Sequence, residues 1–253
     1  MNKYMHIAVL GVCCAVLARC PNYGPGLACS TDRARFDQSG WEALYNQMIA
    51  ENFNHWGETH EFERVFTGDS IVALWRTLTV EEGGYLWFNG TNHATVLNTG
   101  IGGNRVCDLY HRMSRQVSAF RPKFIFVHIG GNDLRAQALP GEVIDRLELL
   151  LRTLRRENSR ARIVYGAIPP TQNNTVNARK DQVNDAARKI LASIGNACMV
   201  EVFDLIDSAK PGGPSRDDVK GDGIHFHRSV YGKYRDRVER AFGGKTHVNG
   251  YCL

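Results

Sequence analysis

The sequence predicts a three-layer α/β/α fold in which helices cover both faces of one parallel five-stranded sheet. Short β-branched or aromatic runs alternate with amphipathic stretches of about 12 to 18 residues, a rhythm that is typical of βαβ units. Several of the short runs are nearly all apolar, as strands that are covered on both faces must be. Right-handed crossovers between such strands place the helices on the two sides of the sheet.

Strand and helix signals follow one another along the chain. The predicted strands cover residues 64–67, 94–98, 124–129, 162–167 and 199–203. The predicted helices cover residues 106–120, 141–157, 175–194 and 229–242. Apolar side chains recur every three or four residues in these helices, most clearly at Val143, Leu147, Leu150 and Leu154, and this spacing gives each helix one face for the sheet. Together the elements form one predicted domain over residues 60–243.

The composition is that of an ordinary globular protein. The chain has 253 residues, of which 43% are hydrophobic and 23% are charged, and these values exclude a disordered tail, a collagen-like fibre and a polytopic membrane protein. The net charge is +5, but the basic residues are scattered over helical stretches instead of forming one patch with interleaved aromatic residues. The sequence therefore argues against nucleic acid as a partner.

Residues 1–18 have the pattern of an export signal. Lys3 precedes an apolar run over residues 7–18, which is too short to span a bilayer but fits the core of a signal peptide. Val16 and Ala18 are the small residues that favour cleavage before Arg19. A buried core helix is one alternative. A lipoprotein signal is another, because Cys20 follows the run, although Arg19 fits poorly before a lipidated cysteine. The predicted location is therefore secreted, periplasmic or cell-envelope, with membrane attachment only through a lipid anchor at Cys20.

Two further segments flank the predicted domain. Residues 19–59 form an N-terminal extension with a helix over 31–56, and residues 244–253 form a C-terminal tail. The helix residues expected to pack on the domain are Trp41, Leu44, Met48 and Phe53. No Cys-x-x-Cys pair occurs, which argues against a zinc ribbon. Because an exported chain meets oxidising conditions, we expect a disulfide between Cys29 and Cys252, which lie near the two ends.

Four junctions after predicted strands, or before the last helix, carry the residues that can do chemistry. In open parallel sheets the ligand crevice lies beyond the carboxyl ends of the strands. The first two junctions contain Gly68-Asp69-Ser70 and Gly100-Ile101-Gly102-Gly103. The third contains Gly130-Gly131-Asn132-Asp133, and the fourth runs from Gly221 to His227. Singly, each motif is most often a turn or a helix cap.

Ser70, His225 and Asp222 have the side chains that nucleophilic catalysis needs. A serine hydroxyl attacks only when a base takes its proton, and a carboxylate must hold and stabilise that base. Asp222 stands three residues before His225, close enough to fold back onto its imidazole. His227 could be mistaken for the base, or could form a His-x-His metal site with His225. No further ligand with metal spacing accompanies that pair, so we expect neither a metal nor another cofactor.

Two further residues can stabilise an oxyanion. The Gly103 N–H and the Asn132 side-chain amide are preorganised donors of the kind that acyl transfer uses. Glycine lets a backbone amide approach a ligand closely, and asparagine supplies NH2 donors without a charge. In isolation, a tight turn over residues 100–103 and an Asx-turn at Asn132 are the simpler interpretations.

Taken in order, Ser70, Gly103, Asn132 and His225 resemble the SGNH subgroup of the GDSL esterase and lipase superfamily. The resemblance covers nearly all of residues 64–242. It implies a flavodoxin-like sheet, the SGNH hydrolase fold. It also implies Ser70 as nucleophile, His225 as base, Asp222 as its partner, and the N–H groups of Ser70 and Gly103 with Asn132 as the oxyanion hole.

Residues 66–72 and 97–103 are most similar to the platelet-activating-factor acetylhydrolase-like branch, whose members remove short acyl groups. The sequence departs from that branch at Asn104-Arg105 and at Phe226-His227, and both departures could reshape the pocket. Asp69 and Asp133 are expected to be structural hydrogen-bonding residues. Candidate pocket residues are Trp75, Tyr85, Trp87 and Phe88, although packing in the core or at the surface is the more common role of such side chains.

The resemblance implies a serine esterase that hydrolyses short-chain acyl esters of a small molecule, a carbohydrate or a lipid. An O-acyltransferase that uses the same residues on a glycan is one alternative. A non-catalytic surface-binding module on the same scaffold is another. The sequence does not determine the oligomeric state.

Overall fold

The structure is a computed structural model that describes residues 61–88, 94–206, 220–244 and 249–252, together with Cys29 and four helical positions within 43–50. The strands are β1 (Arg64–Gly68), β2 (Val96–Asn98), β3 (Phe124–His128), β4 (Arg162–Gly166) and β5 (Ala197–Val200). The α-helices are α1 (Ser70–Trp75), α2 (Val106–Gln116), α3 (Gly131–Arg135), α4 (Pro140–Glu157), α5 (Asn174–Ile194) and α6 (Arg228–Gly243).

The five strands pair in parallel in the order β2-β1-β3-β4-β5, which confirms the predicted flavodoxin-like sheet. The chain runs from β1 to the edge strand β2 and then crosses back to β3 on the other side of β1. The strand order therefore reverses between β1 and β3, and in open parallel sheets this reversal opens the ligand crevice at the carboxyl ends of those strands.

Two apolar cores lie on opposite faces of the sheet, and adjacent residues of β3 contribute to different ones. Ile125 and Val127 join the core under α2, α4 and α5, whereas Phe126 joins the core under α1 and α6. All three side chains are fully buried. This alternation explains why the strand reads as a continuous apolar run in the sequence.

The four aromatic residues that the sequence offers as candidate pocket residues pack in the cores or beside the sheet. Trp75 is fully buried, stacks on Tyr234 with ring centroids 5.2 Å apart, and donates its indole N–H to the Gly83 carbonyl. Phe88 is also buried in a core. The remaining two are near the amino end of the sheet or beside its edge: Tyr85 donates a hydrogen bond to Glu239, and Trp87 forms a bridge to Val96.

Most predicted elements keep their place, but β5 begins two residues before its prediction and ends three residues before it. Gly195 and Asn196 both have positive φ angles, 67° and 45°, so the chain turns sharply after α5 and enters the strand at once. The predicted helix over 106–120 ends as an α-helix at Gln116 and continues as a 3-10 turn. The short helices α1 and α3 were not predicted as separate elements.

Several sequence predictions fall outside the described residues. The export signal over 1–18, the anchor at Cys20 and the packing residues of the extension are among them. Ala43, Asn46, Gln47 and Ala50 are helical, in agreement with a helix in this stretch. Among the described helices, none combines the length and the apolar character that a membrane crossing requires.

The predicted disulfide between Cys29 and Cys252 is wrong. Cys29 pairs with Cys107 in the first turn of α2, and Cys252 pairs with Cys198 in β5. The Cα atoms of the two pairs are 5.2 and 5.0 Å apart. Nearness to the chain ends did not reveal the partners, because each end is fastened to a different element of the domain.

Residues 250–252 extend the sheet beside β5. Tyr251 forms a parallel bridge to Met199, and the Met199 N–H donates to the Gly250 carbonyl. The Cys252 N–H in turn donates to the Met199 carbonyl. These contacts cover the outer side of β5, whose backbone groups would otherwise form an open sheet edge.

We predict that peptide mapping without reduction recovers Cys29 linked to Cys107 and Cys198 linked to Cys252. We also predict that the double variant Cys198→Ser/Cys252→Ser loses about 2–4 kcal/mol of unfolding free energy in a urea titration, because the cross-link restricts the unfolded chain. The wild type under reducing conditions is the control and should lose at least as much. Recovery of a Cys29–Cys252 peptide, or an unchanged urea midpoint, would contradict this pairing.

Candidate active site

Ser70 stands at the switch point of the sheet because α1 begins immediately after the end of β1. Gly68 has φ +145°, and a Cβ there would lie 1.9 Å from the His128 carbonyl oxygen of β3. Asp69 then caps α1, and its Oδ1 accepts the N–H of Ile71 at 3.0 Å. Ser70 is therefore the first residue of a helix that begins directly at the carboxyl end of β1.

The loop before α6 brings Asp222 and His225 to this serine. Asp222 Oδ1 accepts the N–H groups of Ile224 and His225, at 2.9 and 3.0 Å. Its Oδ2 lies 2.6 Å from His225 Nδ1, and His225 Nε2 lies 2.7 Å from Ser70 Oγ. Gly223 has φ +69°, and its carbonyl accepts the N–H of Gln172, which joins the loop to the segment after β4. Three side chains from two distant parts of the sequence thus form one hydrogen-bonded row.

The electrostatics of the row favour a charged carboxylate. Burial raises the pKa of Asp222, but the hydrogen bonds from the His225 ring and from the N–H groups of His225 and Ile224 outweigh it and lower the pKa to about 2. An ionised carboxylate only accepts hydrogen bonds, so the His225 proton belongs on Nδ1. The Nε2 lone pair then faces the Ser70 hydroxyl, an arrangement that can accept its proton.

Gly103 and Asn132 follow the two strands that flank β1. Gly103 lies on the loop after β2, Asn132 is the second residue of α3 after β3, and these strands are the two neighbours of β1. Gly103 is exposed with φ +77°, and no atom lies within 4 Å of the place where a Cβ would be. Glycine is therefore favoured at position 103 by the positive φ angle and not by close contact with other atoms. Asn132 donates from Nδ2 to the Asn104 carbonyl at 3.0 Å.

Asp69 and Asp133 make the structural hydrogen bonds that the sequence suggests. Asp133 is fully buried, accepts the N–H of Val106 at the start of α2, and pairs with Arg146 at 3.2 Å. Burial raises its pKa to about 6. Burial, with added repulsion from Asp133, raises the pKa of Asp69 to about 7 despite the hydrogen bond from Ile71. Both carboxyl groups stand close to the site without contacting the row.

His227 and Phe226, which follow His225 in the sequence, lie outside the hydrogen-bonded row. His227 is the N-cap residue of α6, and its carbonyl accepts the Val230 N–H. Phe226 is fully buried against Tyr231 and Tyr234, so this departure from the acetylhydrolase-like pattern belongs to the core. Within the part of the chain that the structure describes, no group of three or more histidine, cysteine or acidic side chains is arranged to hold a metal.

Sequence reasoning missed Arg112, whose side chain lies directly behind the site. It is 1% exposed and donates to the Gly68 carbonyl at 2.9 Å. A signal was present in the sequence, because Arg112 falls between Leu109, Met113 and Gln116 on the buried face of α2. A charged residue on the buried face of a helix needs buried hydrogen-bond partners. Such a residue is therefore a candidate for a specific structural or functional role.

The family model described as "GDSL-like Lipase/Acylhydrolase family" matches residues 66–233. The match covers more than half of the chain and contains every residue of the site. The chain therefore belongs to this family, which confirms the resemblance seen in the sequence and implies hydrolase activity. Comparison with curated proteins finds no match.

Solved structures share the fold at low sequence identity. A structure provisionally described as a platelet activating factor, from Streptococcus pneumonia, is 23% identical with a TM-score of 0.62, over 78% of this chain and 90% of that one. A GDSL-like lipase from Bacteroides thetaiotaomicron is 15% identical with a TM-score of 0.57, over 79% and 97%. A mutant of an acetyl-xylooligosaccharide esterase from Geobacillus Stearmophilus is 19% identical with a TM-score of 0.54, over 74% and 97%.

We predict that Asp69 makes the protein less stable as the pH rises. Its pKa is about 7 in the folded protein and 3.8 as the ordinary value, so folding takes up a proton between these limits. This contribution to stability is complete below pH 3.8 and is lost as the pH rises through 7. Between pH 4 and 7 the unfolding free energy of the wild type should fall by about 3 kcal/mol relative to Asp69→Asn, measured by urea titration.

Asp69→Asn keeps an oxygen that can accept the Ile71 N–H, so the variant tests the charge and not the cap. The exposed Asp236→Asn is the matched control and should follow the wild-type curve at every pH. Parallel curves for the wild type and Asp69→Asn would show that Asp69 does not change its charge in this range.

Proposed function

We propose that the protein is an exported serine esterase that hydrolyses short-chain acyl esters through an acyl-serine intermediate. In this proposal Ser70 is the nucleophile, His225 the general base and Asp222 the residue that orients and stabilises the imidazole. The carrying observation is the unbroken row of hydrogen bonds, 2.7 Å from Ser70 Oγ to His225 Nε2 and 2.6 Å from Nδ1 to Asp222.

The first half of the proposed reaction acylates Ser70. His225 Nε2 accepts the hydroxyl proton while Oγ bonds to the ester carbonyl carbon, and the carbonyl oxygen becomes an oxyanion. Collapse of this tetrahedral intermediate breaks the bond to the alcohol, which leaves with the proton from His225. In the second half, water gives its proton to His225, attacks the acyl carbon and releases the acid, and Ser70 regains its proton.

The oxyanion needs hydrogen-bond donors that are in place before the charge forms. We propose the N–H groups of Ser70 and Gly103 and the side-chain amide of Asn132. Their position supports this assignment, because Ser70 begins α1, Gly103 lies on the loop after β2 and Asn132 lies in the first turn of α3 after β3. Such donors stabilise the transition state by roughly 3–4 kcal/mol each.

The substrate side of the proposal is an acyl ester, with acetylated carbohydrate or lipid as the first classes to test. Support comes from family membership and from a structural neighbour that is named as an acetyl-xylooligosaccharide esterase. Two disulfides in one small domain support export to an oxidising compartment, whether as a secreted, periplasmic or cell-envelope protein. The mechanism requires neither a metal nor a cofactor.

We predict hydrolysis of p-nitrophenyl esters with a rate that declines from acetyl to palmitoyl chains. Ser70→Ala should lower kcat/KM by at least about 10³-fold, because no other group replaces the nucleophile. A fluorophosphonate probe should label the wild type at Ser70 and fail to label Ser70→Ala. Ser229→Ala, which removes an exposed hydroxyl at the start of α6, is the matched control and should keep both activity and labelling.

The outcomes separate the candidate functions. A flat ester profile equal to that of Ser70→Ala, without labelling of the wild type, would favour a binding module over an enzyme. Acyl transfer to an added sugar in preference to water would favour the O-acyltransferase, which uses the same residues.

We predict that Asp222→Asn and Asn132→Ala each lower kcat more than they change KM. Losing the carboxylate removes the stabilisation of the imidazolium and should cost about 10²–10⁴-fold, while losing one oxyanion donor should cost about 10²–10³-fold. Steady-state kinetics with p-nitrophenyl acetate measures both. Asp236→Asn is the control for Asp222→Asn, and a kcat near the wild-type value in either test variant would exclude that residue from its role.

A further inference from the structure

Arg112 is a buried guanidinium that donates to the backbone carbonyls of two strand ends and to side chains around them, among them the Thr67 hydroxyl at 3.5 Å. Its Nη2 donates to the Gly68 carbonyl at 2.9 Å, and its Nη1 donates to the Thr99 carbonyl at 2.7 Å. Nη1 also donates to Gln116 Oε1 at 3.0 Å, and Nε donates to Asn104 Oδ1 at 2.9 Å. Burying a cation costs free energy unless its N–H groups have acceptors. These partners are therefore necessary for the folded protein to bury Arg112.

The two carbonyls lie where the loops of the candidate site begin. Gly68 is the last residue of β1, two positions before Ser70, and Thr99 follows the last residue of β2, four positions before Gly103. One planar group therefore joins the carboxyl ends of two neighbouring strands. A lysine could not replace it, because an ammonium group is a compact point charge and not a flat fork with five fixed donors.

A second link runs from Arg112 to Asn132 through Asn104. The Asn104 side chain accepts from Arg112 Nε, and its backbone carbonyl accepts from Asn132 Nδ2 at 3.0 Å. A carbonyl can only accept, so it fixes which end of the Asn132 amide is the NH2 end. The second N–H of that NH2 group is then held in a defined direction. Asn104 is itself 6% exposed and is fixed by its N–H bond to the Ile101 carbonyl.

We propose that Arg112, acting through Asn104, is a positioning residue for the oxyanion donors relative to Ser70. It does not touch the substrate. The guanidinium sets the distance between the ends of β1 and β2, and the Asn104 link carries the same constraint to Asn132 after β3. This inference rests on the proposed function, since it assigns Arg112 a task in acyl transfer. Its effect should fall on kcat, because the geometry that it fixes matters most when the oxyanion forms.

The central experiment compares Arg112→Lys with Arg162→Lys. Arg162 is the matched control because it is also a buried arginine, 8% exposed, but it donates to the Ala241 carbonyl at the opposite end of the sheet. Both variants lose a buried fork and should lose stability in urea. At a temperature where urea titration shows both to be folded, Arg112→Lys should lower kcat for p-nitrophenyl acetate about 10- to 100-fold with KM within about 3-fold. Arg162→Lys should keep kcat within about 3-fold.

Two variants at Asn104 test the link without removing the guanidinium, and they keep the proposal testable if Arg112→Lys does not fold. Asn104→Ala removes the acceptor of Arg112 Nε and should lower kcat about 3- to 10-fold. Asn104→Asp keeps an oxygen at the same place and should restore kcat to within about 3-fold of the wild type. Equal kcat values for Asn104→Ala and the wild type would overturn the Asn104 link.

A readout that does not depend on activity separates this inference from the proposed function. Amide hydrogen exchange of residues 99–104 should become at least about 10-fold faster in Arg112→Lys than in Arg162→Lys. If exchange becomes faster in Arg112→Lys but the wild type hydrolyses no ester, the proposed function is refuted and the constraint on the loop still stands. An active wild type with kcat unchanged in folded Arg112→Lys, or reduced equally in Arg162→Lys, would overturn the positioning role.

Discussion

The peptide unit between Gly68 and Asp69 is the constraint on which the site depends. Its N–H donates to the His128 carbonyl at the end of β3, and its carbonyl accepts the Ile101 N–H from the loop after β2. The absence of a side chain at Gly68 permits this approach, since a Cβ would overlap the His128 oxygen. One peptide unit is thus bonded to both neighbouring strand ends. The direction in which α1 leaves β1, and with it the place of Ser70, follows from those bonds.

The surroundings of this peptide are unusually polar for the centre of a sheet. Asp69 and His128 are buried, and His128 Nδ1 lies 3.1 Å from the Tyr234 hydroxyl. Burial lowers the pKa of His128 to about 3, so its ring is neutral, and burial keeps the Asp69 carboxyl near its own titration at neutral pH. Buried polar groups stabilise a unique arrangement only when their partners are present.

What the sequence predicts depends on how far apart in the chain the interacting residues are. The carboxyl ends of β1 to β4 could be predicted to within one residue, and so could the meeting of Ser70 with His225, because alternation of apolar runs and motif order are signals that the sequence carries directly. The disulfide partners could not, since they depend on which elements meet in space. Arg112 was overlooked because helical spacing marks a buried position but does not name the carbonyls that it meets.

The two halves of the candidate triad are held by different kinds of structure, and this difference bears on how the site can fail. Ser70 is fixed by buried bonds between strand ends. The loop that carries His225 is held by fewer bonds. Within the loop the Lys220 N–H donates to the His225 carbonyl, and the Gln172 N–H donates to the Gly223 carbonyl from the segment after β4. Asp222 is exposed. Segments with few buried contacts open at lower free energy than the core. Separation of His225 from Ser70 should therefore precede unfolding of the sheet, and loss of the row would leave the nucleophile in place without its base.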